Sequence, residues 1–134
     1  MVLIAIDSLG VRIGMVDEVA ARLQVSHGIP RENIALTFTH SHCTPKVNGA
    51  SDNIFSTPIP AAHQEHIDRY TRELTDHIAE AARVAIDNRQ ASRLEWATGT
   101  VRFSKNRRTP GGPVDHDLPT LFVRDAKSDK VRAV

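Results

Sequence analysis

A chain of 134 residues with 40% hydrophobic and 25% charged residues and a formal net charge of +1 has the size and balance of a single globular domain, 1–134. No stretch approaches the ~20 apolar residues of a membrane span, so no transmembrane segment is expected. The densest basic group, Lys105, Arg107 and Arg108, is too short to track a nucleic-acid backbone, and the lone Cys43 excludes an intrachain disulfide.

Val2 to Asp7 reads as a short buried strand, an unbroken apolar run closed by Asp7 and Gly10. From Val11 to about Val25 the positions Ile13, Val16, Val19, Ala20 and Leu23 recur at three and four, and Gly28 with Pro30 supplies a stop. This is the pattern of an amphipathic helix. Ile34 to Thr39 is a second apolar, β-branched run, so residues 2 to 39 outline a β-α-β unit with parallel strands and a right-handed crossover. Residues 41 to 60, with Asn48, Ser51, Asp52 and Asn53 among prolines and glycine, form a long loop. Pro60 then opens a helix from Ala61 to about Asn88, whose stripe is Ile67, Tyr70, Leu74, Ile78, Ala81, Ala82 and Ala85. Leu94 to Phe103 suggests a strand, 104 to 119 a second loop, and Thr120 to Asp125 another strand. A turn at Lys127 to Lys130 leads into a strand begun at Val131. The fold class is α/β: a β-α-β unit, a long helix and further strands, with helices packed on a mixed sheet. The abrupt first strand and the unfinished last one suggest an incomplete fragment of a larger domain, with any signal peptide lying upstream of Met1.

Phe38-Thr39-His40-Ser41-His42 sets two histidines two apart at the carboxyl end of a strand, where period-2 alternation turns both rings to one side. Ligands of open α/β sheets gather at that end, and two imidazoles are half of a zinc site. The plain alternative is a polar residue satisfied at a strand terminus beside a solvated one. A metallo-β-lactamase-type hydrolase also carries Thr-His-x-His, but Cys43-Thr44-Pro45 lacks the aspartate and histidine of its second metal. Among other candidates, His63 and His66 at a helix start read as solvated or capping. Cys43 reads as an inert small residue, Asp115-His116-Asp117 as a turn, and Gly111-Gly112 lacks the context of a phosphate cradle.

The segment Thr39-His40-Ser41-His42-Cys43-Thr44-Pro45, preceded by Asn33-Ile34-Ala35-Leu36, resembles the Thr-His-Thr-His-Ser-Gly-Pro segment of the neutral, or non-lysosomal, ceramidases. Leu3 to Asp7 and Gly28-Ile29-Pro30-Arg31-Glu32-Asn33 are similar to that family's preceding strand and turn. Downstream, the Tyr70-containing helix, Asn106-Arg107-Arg108 and Val114-Asp115-His116-Asp117-Leu118-Pro119-Thr120-Leu121 match its Asn-Arg segment and strand entry. Cys43, Thr44 and Lys46 depart from the family's serine and glycines.

The resemblance implies the N-terminal part of a zinc-dependent amidase that hydrolyses N-acyl sphingosine to sphingosine and a fatty acid, in a family whose members are often secreted or periplasmic. By it His40 matches the first zinc ligand, His42 the histidine facing the substrate amide, and Arg107 the arginine near that amide. It implies Zn2+ as cofactor, with the other ligands beyond residue 134. Taken alone, the chain should therefore be inactive and bind zinc weakly. Ceramide or another lipid amide is the implied partner, and stripped sheet edges invite pairing between copies.

Overall fold

The computed structural model describes residues 1–52 and 57–134; Asn53, part of the expected loop, lies outside them. Contacts cluster into two compact units, Met1–Asn88 and Arg89–Val134.

In the first unit Val2–Ile6 (β1) and Ile34–Phe38 (β2) pair in parallel, from Val2 opposite Ile34 to Ile6 opposite Phe38. Parallel neighbours require a long crossover, and Ile13–His27 (α1) supplies it. Alternation along β1 packs Val2, Ile4 and Ile6 against the core and leaves Leu3 and Ala5 exposed. Helix α1 buries Met15, Val16, Val19, Ala20 and Leu23, as its period requires. Ile13, expected in the same stripe, is instead the first helical residue and stands 65% exposed. Gly28 ends the helix in the left-handed region at φ 64°, with its N–H donated to Gln24 O at 3.0 Å.

Ala61–Asp87 (α2) starts after Pro60 and packs along α1. Ile67, Tyr70 and Leu74 are partly buried and Ile78 and Ala82 fully so, but Ala81 and Ala85 are exposed. The stripe turns instead through Thr75, Ala79 and Ile86, the flank that meets α1. An ion pair from Arg22 to Asp76 at 2.7 Å and a hydrogen bond between His27 and Asp87 at 3.0 Å tie the helices together at the surface. The hydrogen bond from His27 lowers the Asp87 carboxyl below its ordinary range. Exposed pairs of this kind add little, so burial carries the unit.

The second unit is an antiparallel sheet of Ser92–Thr100 (β3), Asp117–Asp125 (β4) and Val131–Ala133 (β5), in that spatial order. The α/β class therefore holds, with parallel and antiparallel pairing divided between two sheets rather than mixed in one. β3 starts two residues earlier than expected and ends three earlier, and β4 starts three residues earlier. Pro119 lies inside β4 opposite Thr98, where a loop was expected. It is tolerated because β5 pairs only with Val123 and Arg124, leaving β4 locally without a second neighbour at Pro119. The β4–β5 turn is held by Asp125, whose carboxylate accepts the N–H groups of Lys127 and Ser128, both at 2.8 Å. Those backbone bonds depress its pKa strongly.

Leu23 is 1% exposed and central to the first unit, whereas Val25 on the same helix is 90% exposed. Leu23→Ala should cost about 2–5 kcal/mol in urea denaturation. Val25→Ala should stay within about 0.5 kcal/mol.

Candidate functional site

The parallel ladder does not stop where the strands do. Thr39 N–H donates to Ile6 O at 3.1 Å and Ser41 N–H to Ser8 O at 3.1 Å, so the chains leaving β1 and β2 stay laced together. Buried Ser8 stiffens the first of these segments through contacts of its hydroxyl with Gly10 N and Gly10 O, both 3.3 Å.

His40 sits between the two rungs with φ 56°, in the left-handed region. Strand alternation is therefore broken at His40, and the reason expected for the two rings to share a side does not apply. They meet nonetheless: the centroids of His40 and His42 are 5.1 Å apart, edge to face at 73°. Nδ1 of His40 lies 2.9 Å from Leu9 O. A carbonyl can only accept, so Nδ1 carries a proton, and whenever the ring is neutral Nε2 is the nitrogen that presents a lone pair. Both rings are exposed.

The loop that follows is fastened to α2. Val47, 1% exposed, plugs the core, and Asn48 N–H donates to Thr71 Oγ1 at 2.9 Å. Asn48 also donates through Nδ2 to Asp68 at 2.8 Å and accepts from Gln64 at 2.8 Å. Gln64 donates to Asp68 as well, at 2.7 Å, and the bonds from Asn48 and then Gln64 hold the Asp68 carboxyl below its usual range. Lys46 spans the turn to Ala50 O at 2.7 Å and Asp52 at 2.5 Å. The sequence marked Asn48 and Asp52 only as loop residues and Lys46 only as a departure from the family's glycine, and none of these contacts was expected. The signals were there: Gln64, Asp68 and Thr71 share a helix face by their spacing of four and three, and Val47 is an isolated apolar residue in a polar loop.

The remaining candidates separate. Cys43 is a free thiol, exposed rather than packed. His66 accepts from Arg69 at 2.9 Å, the N-terminus of α2 has no side-chain cap bond, and His63 and His66 lie on the exposed surface. Arg107 belongs to the second unit and is exposed. Asp115 accepts the Asp117 N–H at 2.8 Å, but where a turn was expected His116 O accepts from Val101 N–H at 2.9 Å and the segment runs extended into β4. Among the described residues there is no group of three His, Cys, Asp or Glu able to hold a metal ion. None of the described helices is long and apolar enough to cross a membrane. No family model, curated protein or solved structure matches the chain.

The Leu9 carbonyl makes one claim measurable by long-range 1H–15N correlation at alkaline pH. His40 should appear as the Nδ1–H tautomer with an unprotonated Nε2. An Nε2–H tautomer at His40 contradicts the arrangement.

Proposed function

We propose that the chain is part of a zinc-dependent amide hydrolase similar to the neutral ceramidases, acting on a lipid amide such as ceramide to release sphingosine and a fatty acid. The observation that carries this reading is the His40–His42 pair, with one nitrogen of His40 committed to Leu9 and the other open. A metal-bound histidine commonly gives its second ring N–H to a carbonyl, which fixes the tautomer and makes the ligating nitrogen more basic.

The pair suits zinc in chemistry but not in number, since zinc takes three protein ligands or more. The proposal therefore includes further ligands from sequence beyond residue 134. Zinc, when bound, supplies a Lewis acid and lowers the pKa of a bound water towards ~7. His40 would hold the metal through the ring nitrogen that Leu9 leaves open. His42, beside it, would donate a hydrogen bond to the oxygen that gains charge as the amide carbon becomes tetrahedral. Pairing of copies along the open edges of β1, β2 and β3 belongs to the same proposal.

A second reading, a non-catalytic α/β interaction module with incidental histidines, draws on the lack of a third ligand among the described residues. Activity separates the two. With a short-chain fluorescent N-acyl sphingosine and zinc, the 134-residue chain should give no turnover and the longer reading frame containing it should be active. His42→Ala in the longer protein should lower kcat by about 10²–10³-fold, the usual loss for an oxyanion donor. His40→Ala should abolish turnover together with zinc binding. An inactive longer protein removes the hydrolase reading, and turnover by the short chain that vanishes on His40→Ala refutes the incomplete site.

A further inference from the structure

From Val101 to Val114 the chain carries Arg102, Lys105, Arg107 and Arg108 and no Asp or Glu. Arginines elsewhere are commonly neutralised in place, as Arg22, Arg31, Arg83, Arg93, Arg124 and Arg132 are by ion pairs. The four cations of this loop are exposed, and none has an acidic partner among the described residues. Exposure alternates along the segment, with Phe103, Lys105 and Arg107 facing out and Ser104 and Asn106 half-buried. Phe103 is 77% exposed.

The inward Asn106 fixes the shape of the tip. Its Oδ1 accepts from Arg108 N–H at 3.1 Å and Thr109 N–H at 3.0 Å, and its Nδ2 donates to Pro113 O at 3.3 Å. At Gly112 a Cβ would come within 2.8 Å of Asn106 Nδ2 and 2.9 Å of Thr109 O, so the turn closes only around glycine. Cations on a pre-shaped tip are presented with little further ordering cost.

We propose that this loop docks the protein on an anionic phospholipid bilayer, with Lys105, Arg108 and their neighbours against the headgroups and Phe103 in the interfacial layer. Short basic clusters are drawn to anionic leaflets, and aromatic rings settle at the headgroup level. A nucleic acid would call for a longer basic stripe and gives the exposed Phe103 no apolar layer to enter. The inference stands apart from the proposed reaction and is tested without it.

The full chain is sedimented with vesicles of phosphatidylcholine alone and of phosphatidylcholine with about one third phosphatidylserine. It should bind the second and not the first, with loss at high salt. Lys105→Glu with Arg108→Glu should weaken binding about twenty-five-fold or more, at about fivefold per cation. Phe103→Ser should weaken it about tenfold and leave the salt dependence intact. Lys127→Glu with Lys130→Glu makes the same charge change beside Asp125 and Asp129 and should leave binding nearly unchanged. Circular dichroism establishes that each variant is folded. Equal binding to both vesicles, equal loss in the two charge-reversed pairs, or no binding overturns the proposal. Capture of a single-stranded oligonucleotide without vesicle binding overturns it in favour of a nucleic-acid partner.

Discussion

The pairing of β1 with β2 sets the position of every group in the histidine site. Five residue pairs in parallel register bring Ile6 opposite Phe38, and the next two backbone bonds, Thr39 to Ile6 and Ser41 to Ser8, carry the alignment past the strand ends. Leu9 and His40 meet only because of that continuation. A slip of one residue would turn Val2, Ile4 and Ile6 to the exposed face and separate the carbonyl from the imidazole. The register is defended by burial: α1 must cross back over the pair, and Val19 and Leu23 are almost wholly enclosed when it does.

A second restraint comes from α2. The segment from Lys46 to Asp52 is held by Val47 in the core and by Asn48 on the Gln64–Asp68–Thr71 face, which limits how far Cys43 to Pro45 can move. His42 therefore stands between two fixed points, the laced strand ends before it and the anchored loop after it. The left-handed φ of His40 is a local cost, since only a few per cent of non-glycine residues adopt it. It is maintained by the bonds on either side, an arrangement found where a side chain must be aimed.

The helices and strands were legible because each repeats a period, and β1, α1, β2 and α2 lie within a few residues of where periodicity puts them. The turn of the α2 stripe toward Ala79 and Ile86 was not, because Ala81 and Ala79 are the same residue type and only the position of α1 decides between them. Pro119 inside β4 was missed for a related reason: its tolerance depends on where β5 stops pairing, which is a tertiary fact. At the site the histidines were visible as a pair, yet their contact arises from a backbone twist at His40 and a carbonyl 31 residues away, neither of which strand alternation encodes.

The histidine site and the basic loop lie in different compact units and call on different physics, one on a committed tautomer and the other on unneutralised charge. The central claim concerns the first, that His40 is prepared to bind a metal. It is tested most directly by titrating zinc into the chain while following the imidazole resonances of its seven histidines. The account predicts that His40 responds first, with His42 beside it, and that His63, His66 and His77 stay unmoved until excess metal. Zinc that reports first on His63 and His66, or on all seven alike, contradicts it.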